Sequence, residues 1–278
     1  MTRPRSWKVR RVVSAADATA VVHAYGLIQS DEPRPMPEHG IMNADIRTIP
    51  FHDLEVVVSD LAAAAFGEAA WAEHGEDTGW VTPVAAAHHE VLQHLVEHGD
   101  VLPLPLPGIY PNDEVLIAAL DSSRRALEHA WRFVAGHVEW SVQIFPTASP
   151  RPTEAPAPRS GREYLERRRS QQDARNTERG RREIAVTQTH EALARGTAAS
   201  VVRAPLDAAV TGRDEPMLLN NAYLVARDEE QRFLGLAEEL HDHLVATAGL
   251  RIEVTGPWPP YSFVAEEPHD EDLSGVVS

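Results

Sequence analysis

The chain has 278 residues, of which 43% are hydrophobic and 24% charged, a composition typical of a folded water-soluble protein whose length favours two domains over one. Its formal net charge of −16 argues against nucleic acid as a partner, because phosphate backbones attract clustered Lys and Arg, and the absence of cysteine excludes disulfides and thiol catalysis. No apolar run reaches the roughly 20 residues that a membrane span needs, so we expect a cytoplasmic protein without a membrane partner.

Two short runs rich in β-branched residues predict strands at 20–28 and 54–59. A helix is predicted from Pro83, a favourable first-turn residue, to about His98, where the following glycine ends it. The alternating prolines of 101–108 remove backbone donors. They exclude a central strand there and leave an edge strand or an extended loop.

Asn112 is typical of a helix N-cap, and the apolar stripe behind it predicts one helix that ends near Gly136. Residues 138–144 then alternate apolar and polar side chains, which predicts a half-buried strand. The next segment, 146–160, holds five prolines among small and polar residues. It is typical of a semi-rigid linker or an exposed loop.

The second half of the chain continues with a charged helix from Gly161 to about Arg195, predicted with interruptions. After it we predict strands at 200–203 and 218–225, a helix from Glu229 to Ala248 and a strand over residues 250–255. Counted from the strand at 138–144, the order of these elements is β-α-β-β-α-β, which is the split βαβ or ferredoxin-like pattern.

This order predicts an α+β protein of two domains. We place an N-terminal α+β domain at 1–136 and a C-terminal ferredoxin-like domain at 137–264, with the Pro-rich loop of 146–160 inside the second. Residues 265–278 are acidic and short of apolar side chains, so we expect a disordered tail that can be deleted without loss of folding.

Fourteen histidines raise the question of a metal site, most sharply at His94 and His98, one helical turn apart. Leu95 stands where the zinc-protease helix motif requires glutamate, and we expect a solvated helix face without a metal ligand. The nucleotide-binding and nucleophile-elbow glycine motifs are absent, so the sequence predicts no cofactor. An enzyme whose site is assembled from dispersed His and Asp residues remains the alternative.

Eight arginines crowd the stretch from Arg162 to Arg182. Glu163 with Arg167, and Glu178 with Arg182, have the i,i+4 spacing that stabilises an exposed helix. This pattern fits a solvated helix face, and it also fits a helix that docks on the acidic tail or on an acidic partner.

The segment from Ile252 to Phe263 is a strand that breaks at a glycine into a stiff run of prolines and aromatic residues. Its candidate structural or partner-docking residues are Trp258, Pro259, Pro260, Tyr261 and Phe263. Rigid aromatics lose little entropy when they pack, so the segment suits either a fixed anchor or a preformed docking strip. We expect the anchor, with Trp258 largely buried at the junction of the two domains.

Eight segments follow one another along the chain: Ala24 to Ile28, Leu54 to Leu61, His89 to Leu92, Val101 to Leu104, Gly136 to Trp140, Gly161 to Leu165, Asn221 to Val225 and Val254 to Phe263. Taken together in this order, they resemble the GvpL/GvpF family of gas vesicle proteins. The chain departs from the family pattern at Pro105-Leu106-Pro107, where relatives usually continue with a trio like Arg-Phe-Gly, so the role of that loop is open.

The resemblance implies an accessory protein of the gas vesicle, an assembly factor or minor structural component without catalytic residues. It would act through contacts with the hydrophobic vesicle wall protein and with other gas vesicle accessory proteins. This role is physically coherent, because a subunit with a large apolar face aggregates unless another protein covers or delivers it.

Overall fold

A computed structural model describes residues 19–31, 33–147, 160–207, 212–213 and 215–264. The strands are β1 (Ala20–Gln29), β2 (Ile46–Phe51), β3 (Leu54–Ala62), β4 (Val101–Pro103), β5 (Ile109–Tyr110), β6 (His137–Pro146), β7 (Ala199–Arg203), β8 (Leu219–Ala226) and β9 (Leu250–Trp258). The helices are α1 (Ala63–Phe66), α2 (Glu68–His74), α3 (Thr78–Glu97), α4 (Asp113–Ser122), α5 (Arg124–Val134), α6 (Gly161–Ala194), α7 (Glu230–Ala248) and α8 (Tyr261–Val264). The protein thus mixes helices with two antiparallel sheets, as an α+β sequence predicts.

The first sheet has the strand order β2-β3-β1-β4, and the short β5 also pairs with β1. Its centre is the antiparallel pair of β1 and β3, interrupted by a register shift between Ala24 and Gly26. At Gly26 a Cβ atom would lie 2.9 Å from the carbonyl oxygen of Leu102, so glycine allows β4 to approach closely. Helix α3 contacts β1 and β4, and its buried side chains close the core on this sheet.

Two helix boundaries in this region differ from the predicted ones. Helix α3 begins at Thr78, five residues before Pro83, because the side chain of Asp77 caps it by accepting a hydrogen bond from the Gly79 amide at 2.8 Å. The single helix predicted behind Asn112 is two helices, α4 and α5, separated at Ser123. The predicted cap at Asn112 is present and accepts from the Val115 amide at 2.9 Å.

The second sheet has the strand order β7-β8-β6-β9. Helices α6 and α7 contact each other, and both contact β8. The charged helix predicted with interruptions is continuous over 34 residues, and it includes the expected ion pair between Glu178 and Arg182 at 3.0 Å. Strand β9 runs three residues beyond the predicted end at Thr255, and it tolerates Pro257 because β9 lies at the edge of the sheet.

The described residues form two compact units. The first unit comprises the chain up to Val138 together with the residues from Pro257 onward, and the second unit is Glu139–Gly256. The predicted division was 1–136 and 137–264. In this grouping the boundary follows Val138, and the last described segment, 257–264, belongs to the first unit. Residues 148–159 of the Pro-rich loop and the predicted tail at 265–278 lie outside the described residues.

Candidate docking site

The Pro-aromatic segment begins at a glycine that no other residue can replace without strain. Gly256 has a φ of 140°, and a Cβ atom there would lie 2.9 Å from the carbonyl oxygen of Glu139 and 3.0 Å from the indole of Trp140. Trp140 is itself held by its indole N–H, which donates to a carboxylate oxygen of Glu230 at 3.2 Å. The close approach of β9 to β6 therefore fixes where the segment leaves the sheet.

Beyond Gly256 the segment attaches to one side of helix α3. The side-chain amide of Gln93 donates to the carbonyl oxygen of Pro257 at 3.0 Å. The ring of Trp258 lies 5.4 Å from the ring of His89, and the Tyr261 hydroxyl lies 3.1 Å from Nδ1 of the same histidine. Three successive points of attachment thus place the segment on α3, within the first unit.

The five candidate residues divide into a buried set and a half-buried set. Pro259 and Pro260 are buried, and Phe263 retains 7% of its surface where the short helix α8 contacts β4. Trp258 and Tyr261 are half-buried, so the expectation that Trp258 is largely buried was wrong. The ring of Trp258 lies against the partly exposed His89, and part of its surface remains in contact with solvent.

A buried pair of histidines lies elsewhere in the first unit, and no sequence pattern predicted it. Nε2 of His23 in β1 and Nδ1 of His88 in α3 lie 3.0 Å apart, and the two residues are 0% and 5% exposed. Both rings contact the fully buried Tyr25, whose hydroxyl donates to Ser59 at 3.1 Å and accepts from the Ile41 amide at 2.9 Å. The group is a polar network inside an apolar core.

Burial sets the charge of this pair. It lowers the pKa of His88 to about 4 and lowers the pKa of His23 well below its usual range, with the neighbouring ring adding to the effect at His23. At neutral pH both rings are uncharged, one donating and the other accepting. Because solvent does not reach either ring, a substrate does not either, and the pair lends no support to an enzyme site of dispersed His and Asp residues.

The histidines singled out in the sequence occupy the partly exposed side of the same helix. The rings of His94 and His98 lie 4.5 Å apart. Nε2 of His94 faces the carbonyl oxygen of Pro35 at 3.2 Å, and Nδ1 of His98 faces the carbonyl oxygen of His94 at 2.8 Å. Each of these nitrogens acts as a donor there. Across the described ranges there is no group of three His, Asp or Glu side chains that could hold a metal ion.

Comparison with known proteins connects this architecture to one family. The model of the family described as gas vesicle synthesis protein GvpL/GvpF matches residues 21–265. Gas vesicle protein L of Streptomyces sp. (strain CB03234) is 33% identical over 241 residues, covering 84% of this chain and 89% of that protein. Gas vesicle protein F2 of Halobacterium salinarum is 26% identical over 247 residues, covering 87% and 91%. The crystal structure of GvpF from Anabaena sp. PCC7120 has the same fold, with a TM-score of 0.60 at 18% identity over 90% of this chain and 98% of that chain. Since the family match spans both units, the chain belongs to the GvpL/GvpF family of gas vesicle proteins.

Proposed function

We propose that the chain is a gas vesicle accessory protein that acts through protein–protein contacts, as an assembly factor or minor structural component. Its partners are the hydrophobic wall protein and other gas vesicle accessory proteins, and its location is the gas vesicle within the cytoplasm. The observation that carries this proposal is the family match across residues 21–265, together with relatives named as gas vesicle proteins over about nine tenths of their length. Within the described residues no helix is long and apolar enough to cross a membrane.

We also propose that the second unit is a ferredoxin-like domain. Within this unit β6, β7, β8 and β9 are strands 1 to 4 in chain order. Their order across the sheet, β9-β6-β8-β7, is therefore 4-1-3-2. Helices α6 and α7 follow its first and third strands, contact each other and both pack on β8, as expected for helices that share one face of the sheet. In such a domain β7 and β9 are the two outermost strands of the sheet.

The second unit offers the surface that best fits an apolar partner. Among the described residues, six of the seven large hydrophobic side chains that are exposed belong to it, namely Tyr164, Leu165, Ile184, Val202, Leu206 and Val245. Val202 is the most exposed, at 70%, and it lies on the edge strand β7. An outermost strand that carries an exposed apolar side chain is a surface on which an extended apolar segment of a partner can pack. We therefore place the contact with the wall protein at β7.

Co-expression with the wall protein and affinity capture tests the proposed function. We expect the wall protein to be retained with the full chain, and we expect gas vesicles to be lost or malformed when the chain is removed from the producing cell and restored when it is returned. Normal vesicles without the chain, combined with no capture of any vesicle protein, would exclude the accessory role.

The β7 contact predicts a specific loss of binding. Val202→Lys places a charge on the exposed edge, so capture of the wall protein is expected to fall at least fivefold, while the free energy of unfolding changes by less than about 0.5 kcal/mol. Val245→Lys is the matched control, since Val245 is 45% exposed on α7 and away from the strand edge. Equal capture by the two variants would show that β7 is not the contact.

A further inference from the structure

Helix α6 is much longer than the elements that cover it. Helix α6 has 34 residues and its neighbour α7 has 19. Helix α6 is therefore longer than α7 by about 15 residues, or ~22 Å. From Gly161 to Thr177 every residue whose burial is described is exposed except Arg167, which is partly buried. The first side chains of α6 to be fully buried are those of Thr189 and Leu193. Half of the helix therefore stands outside the packed core.

One side of α6 is basic, along the exposed half and beyond it as far as the half-buried Arg182, which also donates to the carbonyl oxygen of Ala248 at 3.3 Å. Arg168, Arg175, Arg179 and Arg182 follow one another at intervals of seven, four and three residues, which keeps them on one side of the helix, and we call these four residues the arginine stripe. The acids Glu166 and Asp173 fall on the opposite side, near Arg162. The pair between Arg162 and Glu166, at 2.9 Å, lies on that opposite side.

Within the described residues the stripe is only partly neutralised by its own helix. Arg179 binds Glu183 at 2.8 Å, and Arg182 binds Glu178 at 3.0 Å. Arg168 instead donates to the Tyr164 hydroxyl at 3.0 Å, which leaves its charge uncompensated. The exposed Arg175 makes no ion pair with the described residues. A polar helix of this length without packing is marginally stable in water, so a partner that covers the stripe also stabilises it.

The first unit has the complementary charge. Residues 48–123 contain 13 Asp and Glu residues and no Lys or Arg. Four of these acids fall within ten residues at the corner formed by α2 and the start of α3, and all four are exposed: Glu68, Glu73, Glu76 and Asp77. We call them the acidic corner. Between positions 68 and 77 the only residue that can carry a positive charge is His74, whose Nε2 lies 3.8 Å from a carboxylate oxygen of Glu73.

We propose that the arginine stripe of one copy of this chain docks on the acidic corner of a second copy. The two surfaces lie at different places on the chain, so the contact is heterologous and joins the copies head to tail, into a closed ring or an open chain. The net charge of −16 on each copy opposes association at long range. At 0.1 M salt, however, charges further apart than about 10 Å are screened, and the local attraction at the contact then decides the outcome.

Analytical ultracentrifugation of the purified full chain alone tests this self-association, and it involves no other vesicle protein, so its result is independent of the proposed function. At 0.1 M NaCl the weight-average mass is expected to rise with protein concentration above that of one chain. At 1 M NaCl, where the screening length falls to about 3 Å, it is expected to return to the mass of a single chain. A single chain at every concentration and salt would overturn the proposal.

Charge reversal identifies the two surfaces. Arg168→Glu with Arg175→Glu is expected to weaken self-association at least tenfold, and Glu68→Lys with Glu76→Lys is expected to do the same. The fourfold variant that carries both pairs restores opposite charges across the contact, and we expect it to associate again. Circular dichroism verifies the helix in each variant, and Arg168→Gln with Arg175→Gln repeats the test with the helix-forming residue glutamine.

Two controls separate this contact from general charge effects. Arg162→Glu with Arg169→Glu changes the net charge as much as the stripe variant does, but on the other side of α6. Glu238→Lys with Glu239→Lys changes it as much as the corner variant does, but at exposed acids on α7. Both controls are expected to associate normally. Deleting 266–278 removes the other acidic stretch of the chain and is expected to have no effect. Failure of the fourfold variant, or loss of association in any control, would exclude the stripe-to-corner contact.

Discussion

Replacing Phe263 with alanine is expected to lower the free energy of unfolding by about 3 kcal/mol, because it removes a large aromatic side chain from a closed site. Phe263 is 7% exposed, and it lies on the short helix α8 that contacts β4. The two buried prolines before it fix the direction from which it enters the core. The change is measured by unfolding the protein in urea and monitoring the loss of its near-ultraviolet circular dichroism signal.

Trp258→Ala provides the comparison within the same segment. Trp258 is half-buried against His89, so we expect a loss of about 1.5 kcal/mol, roughly half that of the phenylalanine. Tyr164→Ala, at a side chain 47% exposed on α6, is the control and is expected to leave stability within about 0.5 kcal/mol. If Phe263→Ala kept full stability but no longer captured the wall protein, the segment would be a docking strip and not an anchor.

The place where the Pro-aromatic segment attaches could not be predicted from local sequence patterns. Proline and glycine identified the stiff segment, because their backbone limits act within one or two residues. Its attachment to α3 depends on Gln93 and His89, which lie more than 160 positions away in the chain and have no pattern in common with it. The same difficulty applied to His23 and His88, which are 65 positions apart.

Where the sequence predicted elements well, a local signal coincided with the tertiary packing. The β-α-β-β-α-β order of the second half was correct because residues 138–144 alternate apolar and polar side chains and the last helix has a continuous apolar stripe. The start of α3 was misplaced since the capping side chain of Asp77 outweighed the preference of Pro83 for a first turn. Strand β2 was missed because it is short and contains Pro50, which an edge position tolerates.

Acid is expected to destabilise the first unit before its carboxylates begin to titrate. The folded state holds His88 with a pKa of about 4, whereas the ordinary value is 6.5, so the unfolded chain binds a proton in this interval that the folded chain does not. The contribution of the neutral ring is therefore complete above pH 6.5 and decreases as the pH falls toward 4. By pH 5 the loss from His88 alone is about 2 kcal/mol.

The physical cause is burial, which penalises the charged form of each ring. Protonating the ring that accepts this hydrogen bond also sets two N–H donors against each other at 3.0 Å, inside a site that excludes water. His23 has its pKa lowered in the same direction, so it adds to the loss. The paired acids Asp60 and Glu253 have their pKa values lowered by hydrogen bonds from Arg47 and Arg213, and their contribution is lost only below the ordinary carboxyl values of 3.8 and 4.5. Unfolding measured between pH 7 and pH 5 therefore isolates the histidines.

His88→Asn tests the assignment, because asparagine keeps a polar atom near the position of Nδ1 and does not titrate. We expect this variant to be less stable than the natural chain at pH 7 and to lose about 2 kcal/mol less between pH 7 and pH 5. His98→Asn is the matched control, since His98 is exposed at the end of the same helix, and its pH dependence is expected to equal that of the natural chain. If His88→Asn left the loss between pH 7 and pH 5 unchanged, acid would be acting elsewhere and the buried pair would not be its target.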